Sequence, residues 1–540
     1  MARHLIYKQK VTLHLSKKDE AYALQDRVSR LLQNGLMDNL ELILDAAFPH
    51  DKVVRIDKLQ LDLGNISFQN FESEFKTQFI SALTKSLAAK KESLSGAKGE
   101  EAIFSKAQSV ENALIFFLEK GYLPWYSQAG KKIDWEEEIL AYLNTAEYKH
   151  FFNWLKDNYQ NRPVIIERIV LQFSDEFIAE LLLKIAPVFD ESWELIFADF
   201  LTILTKSISA INGKQKQEFD GTKEAETYNF ALGKLALRDK IWQYTFRILL
   251  EDRENDPAFR ILKLLFRYVR INGENIRALL AEDTGSSLKT KTIKQVFDRL
   301  VQFLISEEGG NGTGENSTDD INRDNVKAVQ NKKDECNLAD EAPSPNKNAN
   351  ESTTTKTPVK KGLSVTKKNG PNEGDVIYVN CSGVVMLHPF LKPYFESLEL
   401  AVNGRFLTED ARSRAVLLLH YIATGETEAA EFDLTLQKIL CGQSMEDTLP
   451  SSIELTDKEV TETDNLLRSV LSHWEPLKNT SIDGFRGTFL QRNGNLELKD
   501  SGWLLTVEQK TIDILLGKLP WGFSTIRLPW MQEMLSVDWY

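Results

Sequence analysis

Two short stretches near the start of the chain alternate apolar and polar positions, which is the period of a strand with one buried face. The first covers residues 5–15 and ends with Val11, Leu13 and Leu15 at odd positions. The second covers residues 53–63. The pattern predicts two amphipathic strands that share one small sheet.

Between these stretches the spacing of apolar residues changes to three and four, which is typical of helices. Ser16 is followed three residues later by Asp19, as at a capped helix start. The apolar stripe continues past Gly35, so a bent or broken helix is expected before Pro49, and helical spacing returns over residues 68–87. We therefore predict an N-terminal α+β unit of strand, helix and strand over residues 1–95.

Helical patterns then recur over residues 96–306 with little competing strand content. Prolines interrupt them at Pro124, Pro163, Pro187 and Pro257, and a proline disfavours helical conformation in the residue before it. The spacing follows no fixed repeat length. This region is predicted to be an irregular array of helices.

The composition changes abruptly after this array. Residues 304–377 contain no Phe, Trp or Tyr and are rich in Asn, Lys, Glu, Asp, Thr, Ser and Gly. Such a segment cannot bury enough apolar surface to fold alone. Residues 307–375 are therefore predicted to be a disordered polar linker.

The last part, residues 376–540, combines both patterns. Helical spacing covers residues 387–400, 411–424 and 434–440. Asn493-Gly494 is a dipeptide typical of tight hairpin turns, and strand-like alternation follows at residues 503–507 and 535–539. The prediction is a helical domain that ends in a small antiparallel sheet, which makes the whole chain mainly α with small α+β elements.

Composition and charge exclude several classes of function. The net charge of -13 leaves no basic surplus for a nucleic-acid backbone. The first residues lack the apolar run of a signal peptide, and no stretch approaches the length of a transmembrane helix. The three cysteines are too few and too scattered for a disulfide framework. We expect a cytoplasmic protein that neither inserts into membranes nor binds nucleic acid.

Candidate chemistry is sparse. The only glycine-rich tract, residues 309–314, lies in the predicted linker and lacks the strand and helix that a phosphate site requires. Two cysteines and two histidines could in principle bind zinc, but their spacing matches no compact zinc motif; they are Cys381, His388, His420 and Cys441. The sequence therefore predicts no catalytic residue, no metal site and no cofactor.

The most distinctive local feature is the tripeptide Leu-Pro-Trp, which occurs at residues 123–125, 519–521 and 528–530. Proline can end a helix, and the indole combines a large apolar body with a hydrogen-bond donor. Each copy is interpreted either as a core plug or as an anchor for a partner protein. The candidate partner-binding residues are Leu123, Pro124, Trp125, Trp503, Trp521, Trp530 and Trp539.

Several segments resemble those of a known family. They are FFLEKGYLPWY at residues 116–126, RIDKLQLDLG at 55–64, LHPFL at 387–391, LLLHYIATGE at 417–426, LCG at 440–442, LKNTSIDGFRGTFLQR at 477–492 and LPWGFSTIRLPWM at 519–531. In the first, Tyr126 replaces a tryptophan that is common in the family. Together they resemble the tape measure proteins of bacterial contractile injection systems.

The resemblance implies a non-catalytic assembly protein of a phage-tail-like particle that helps to set tube and sheath length. Its implied partners are the inner tube protein and components of the hub, spike or baseplate, and its implied place is the cytoplasm during assembly and then the particle itself. A ruler should be extended, whereas folded domains are compact. A baseplate- or hub-associated adaptor or cargo-loading chaperone of the same particle is therefore the alternative.

Overall fold

The computed structural model describes residues 4, 6, 9–15, 21–32, 36–48, 52–94, 102–127, 135–185, 191–218, 234–251, 256–269, 271, 284–309 and 375–539. The predicted linker lies outside these residues except at its two ends. Within the described ranges, no helix is both long and apolar enough to cross a membrane.

The N-terminal unit is built from three helices that enclose a small core. The predicted broken helix is confirmed, because α1 spans Ala21–Arg30 and α2 spans Met37–Ala47. The helix predicted over residues 68–87 is α3, Phe71–Leu94. The buried side chains of this core are Leu24, Val28, Leu36, Phe71, Phe75, Phe79, Leu83 and Leu87.

The two predicted N-terminal strands are largely wrong. None of the described residues among 5–15 lies in a strand, and Leu13 packs against the helical core instead. The second strand, β1, covers only Lys52–Arg55 and pairs antiparallel with β2, Ala102–Ser105. Leu59, Leu61 and Leu63 also pack on the helices without a neighbouring strand. An extended segment buried on one face shows the same alternation as a strand, so the pattern could not tell them apart.

The predicted helical array is confirmed, and its helices share one core. Pro257 does not break a helix but begins one, because the Asp256 side chain accepts a hydrogen bond from the Phe259 amide and caps that helix start. The helices are α4 Lys106–Lys120, α5 Trp135–Leu143, α6 Lys149–Asn158, α7 Val164–Gln172, α8 Asp175–Ile185, α9 Trp193–Glu218, α10 Lys234–Leu250, α11 Pro257–Tyr268 and α12 Lys291–Gly309.

The C-terminal domain packs helices and a sheet around a second large core. All three predicted helical regions are confirmed, whereas the sequence reasoning missed α16. The helices are α13 His388–Ser397, α14 Glu409–Thr424, α15 Thr435–Leu440, α16 Asp457–His473 and α17 Ile482–Phe485, with 3-10 turns at Ser382–Leu387, Glu431–Leu434 and Thr511–Lys518.

The predicted terminal sheet is present and has five strands in the order β3, β6, β7, β9, β8. All neighbouring pairs are antiparallel except β7 and β9, which are parallel. The strands are β3 Val376–Val379, β6 Gly494–Lys499, β7 Gly502–Val507, β8 Thr525–Ile526 and β9 Leu535–Asp538, and a separate hairpin pairs β4 Ala401–Val402 with β5 Arg405–Phe406.

The predicted hairpin turn at Asn493-Gly494 is wrong. The turn lies at Asp500 and Ser501, and Gly494 is the first residue of β6. A Cβ on Gly494 would come within 2.2 Å of the Ser382 Oγ and 2.9 Å of the Thr506 carbonyl oxygen. Glycine is required here because the Ser382 side chain and the Thr506 backbone approach closely, not because a turn needs its flexibility.

Candidate functional site

The segment FFLEKGYLPWY lies where the helical array meets the C-terminal domain. Helix α4 ends in a left-handed cap at Gly121, whose φ is 79° and whose amide donates to the Phe117 carbonyl at 2.8 Å. On either side of this cap, Phe117 and Leu123 are buried in the core of the array, while Tyr122 is buried in the core of the C-terminal domain. The segment therefore contributes to both cores.

A buried ion pair crosses this contact. The Arg168 guanidinium, on α7, donates from Nε and Nη2 to the two carboxylate oxygens of Glu431, at 2.9 and 3.1 Å. Both side chains are 0% exposed. Arg168 also donates to the Leu118 carbonyl and, at 2.8 Å, to the Glu446 carbonyl. The bidentate geometry fixes the register between the array and the C-terminal domain.

A second cation completes the network. The Lys438 ammonium donates to Glu431 at 2.6 Å and to the carbonyl oxygens of Met445 and Asp447 at 3.1 and 2.6 Å, so all three of its protons have acceptors. Burial lowers the pKa of Lys438, and the Glu431 carboxylate opposes that shift. The network contains two cations and one carboxylate. Backbone carbonyl oxygens therefore supply the remaining hydrogen-bond acceptors of the second cation.

Gln172 adds two uncharged links across the same contact. Its amide oxygen accepts from the Glu431 backbone N–H at 2.7 Å, and its amide nitrogen donates to the Leu449 carbonyl at 2.7 Å. Beside it, the Phe432 ring packs edge-on against Phe117, with centroids 5.6 Å apart. We call the contact formed by Gly121, Arg168, Gln172, Glu431 and Lys438 the junction.

Gly121 is required by the junction itself. A Cβ at this position would lie 2.6 Å from a Glu431 carboxylate oxygen, 2.7 Å from the Met445 carbonyl oxygen and 3.0 Å from Nη2 of Arg168. The glycine that ends α4 therefore also makes room for the buried charges.

The segment 116–126 also contacts the N-terminal unit. The Arg55 guanidinium lies 3.4 Å from the centroid of the Tyr126 ring and donates to the Ser109 hydroxyl at 2.9 Å. The Trp125 and Tyr126 rings pack edge to face, with centroids 5.9 Å apart. The two N-terminal segments that carry the family resemblance, RIDKLQLDLG and FFLEKGYLPWY, thus meet in space.

The chain was also compared with known protein families. The family model for the contractile injection system tape measure protein matches residues 3–539, which include every segment described above. The chain belongs to this family. It is a structural family that is not known as catalytic. Comparisons with curated proteins and with solved structures find no match.

In this family member, the first Leu-Pro-Trp copy is mostly inside the protein. Leu123 and Pro124 are buried, whereas Trp125 is partly exposed. Pro124 comes four residues after Lys120, the last residue of α4, and Gly121 already ends that helix, so the burial of Leu123 and Pro124 fits a core plug but not a helix-ending role. A role in partner binding stays a prediction, and within this copy only Trp125 has substantial surface for it.

Three C-terminal tryptophans of the tape measure protein donate hydrogen bonds to groups of their own domain. The Trp521, Trp530 and Trp539 indoles donate to the Met386 carbonyl at 2.9 Å, to the Leu440 carbonyl at 2.7 Å and to the Asp513 carboxylate at 3.1 Å, respectively. Trp503 and Trp539 are buried in the core, and Trp521 and Trp530 are partly exposed. Partner binding by these residues likewise stays a prediction.

The four residues weighed as zinc ligands lie in the C-terminal domain. Cys381 and Cys441 are buried free thiols, and burial raises the pKa of both, that of Cys381 to about 12. The His388 ring bonds the Val385 carbonyl at 3.1 Å, and burial lowers its pKa. Across the described ranges, no group of three or more His, Cys, Asp or Glu side chains is arranged to hold a metal ion.

Sequence reasoning missed the charged residues of the junction. Arg168 and Glu431 are 263 positions apart, so no local motif links them. The one available signal was Arg168 itself, which stands on the apolar face of α7 among Ile165 and Ile169. A charge in an apolar stripe requires a buried partner.

Proposed function

We propose that this tape measure family protein helps to set tube and sheath length while a contractile injection particle assembles. The family match over residues 3–539 is the observation that supports the proposal. In this role the protein binds the inner tube protein and the hub, spike or baseplate during cytoplasmic assembly, enters the particle and acts without catalysis. The comparisons do not support the alternative roles of adaptor or cargo-loading chaperone.

A ruler acts through the length that it can span. One continuous α-helix of the whole chain would span roughly 800 Å, at about 1.5 Å per residue. The folded array and C-terminal domain are far shorter than that. Residues 310–374 are the longest polar tract, and their total chain length has an upper limit of roughly 200 Å at about 3.3 Å per residue. Within this proposal the tract is the part of the chain that determines length.

Changing the length of this tract tests the proposal. Inserting about sixty residues of similar polar composition near Asn350 should affect folding little, because loop-closure entropy grows slowly with length. Mean sheath length, measured by electron microscopy, should increase with insert size and decrease when the tract is trimmed. The matched control scrambles residues 310–374 at constant length and composition, and should leave sheath length unchanged.

Two results would contradict the proposal. One is a constant sheath length in normally assembled particles across the whole insertion series. The other is a scrambled control that alters sheath length as much as the insertions do, because the tract would then act through its sequence. Loss of particles alone would not count, since any assembly factor produces it.

A further inference from the structure

We infer that the junction is a lasting binding surface that joins residues 102–309 to residues 375–539 as one body. The partner of each side is the other part of the same chain, and the predicted linker is consequently a loop on this body instead of a spacer between two free domains. The inference rests on described residues on both sides of the segment 310–374. It does not depend on the proposed role in length control.

The polar chemistry of the junction is that of a permanent contact. Arg168 and Glu431 are completely buried, and Lys438 nearly so, with 2% of its side chain exposed. If the two sides separated, the bidentate ion pair and the two Gln172 bonds would all break. Each of these buried groups is paired across the contact, so closing it leaves no uncompensated polar group, and a change that removed one partner while the two sides stayed together would be strongly destabilising.

Aromatic side chains beside the junction cross the contact in both directions. Tyr122 is covalently part of the array side but is buried in the core of the C-terminal domain, and Phe116 packs against that same core. Phe432 belongs to the C-terminal domain but packs against the core of the array, beside Phe117 and Trp135. Separation would expose aromatic surface from each side, which opposes it further.

The connection along the chain favours this contact over one between two copies. A covalent connection between the two sides gives them an effective concentration of up to millimolar order for each other. At micromolar protein the two sides of one chain therefore meet each other before they meet another copy. The junction should form within each molecule.

Cutting the chain inside the loop tests the inference directly. We would insert one specific protease site near Asn350 of the full chain, purify the protein and cleave it. Size-exclusion chromatography with light scattering should show one species with the mass of the uncut chain, even at micromolar concentration. Two separate, folded fragments at that concentration would overturn the inference.

Substitutions in the cleaved protein locate the contact. Glu431→Gln should raise the dissociation constant of the two fragments on the order of 100- to 1000-fold, because it removes the charge that pairs with two buried cations. The control is Arg162→Met, which removes an exposed ion pair between Arg162 and Glu119 inside the array. It should change the dissociation constant less than about fivefold.

A milder variant covers the case in which Glu431→Gln does not fold. Gln172→Ala removes two uncharged hydrogen bonds and should weaken fragment association by on the order of tenfold to 100-fold. Circular dichroism of each cleaved variant checks that the fragments keep their helices. Equal dissociation constants for Gln172→Ala and Arg162→Met would show that the junction does not hold the two sides together.

Discussion

Replacing Gly121 with alanine is the sharpest single test of the junction. The residue has a φ of 79° and ends α4 in the left-handed conformation. It has no side chain, and an added Cβ would lie 2.6 Å from a Glu431 carboxylate oxygen and 2.7 Å from the Met445 carbonyl oxygen. Alanine therefore introduces backbone strain and also displaces the carboxylate from its cations.

A second glycine separates these two effects. Gly425 ends α14 with a φ of 80°, and its amide donates to the Tyr421 carbonyl, so its backbone matches that of Gly121. A Cβ there would meet only the Arg486 guanidinium, at 3.0 Å, which is the far end of a flexible side chain. Gly425→Ala should lower the free energy of unfolding by about 1–2 kcal/mol, through conformational strain alone. Gly121→Ala should cost about 3 kcal/mol more, because it disturbs a buried ion pair.

Urea unfolding, followed by tryptophan fluorescence, provides the measurement. A chain of this length is not expected to unfold in two states, so the midpoint of the first transition is compared among the variants. We expect the order wild type, Gly425→Ala, Gly121→Ala, with the larger step between the two variants. Midpoints for Gly121→Ala and Gly425→Ala that agree within error would refute the close approach at the junction.

Three further predictions concern other parts of the chain. If the tract 310–374 is a loop with both ends on one body, sheath length should rise by at most about 1.7 Å per inserted residue, half the extended limit, and a slope near 3.3 Å would indicate a spacer. In native protein Cys381 and Cys441 should stay unreactive toward Ellman's reagent because they are buried, and rapid reaction of either thiol would contradict that burial. Trp125→Ala should reduce binding to isolated particle components in a pull-down while circular dichroism shows unchanged helix content; an unchanged pull-down would contradict a role of Trp125 in partner binding.

Local patterns in the sequence were sufficient for most of the helices. Apolar residues three and four apart located α3 and α14 because a helix on a core needs only one continuous stripe. The strands β7 and β9 were found by their alternation. The family resemblance also came from short segments, because their residues can be compared without knowing what they contact in space.

Pairing and burial were decided only in three dimensions. The alternation at residues 53–63 could not reveal that β1 pairs with β2 while Leu59 and Leu61 rest on helices. Gly494 was mistaken for a turn residue, since a glycine required by close packing looks the same in a sequence. The ion pair of Arg168 and Glu431 has no local signal, because its partners come from regions on opposite sides of the polar tract. Such contacts depend on which surfaces the folded chain brings together, and one-dimensional periodicity carries no information about that.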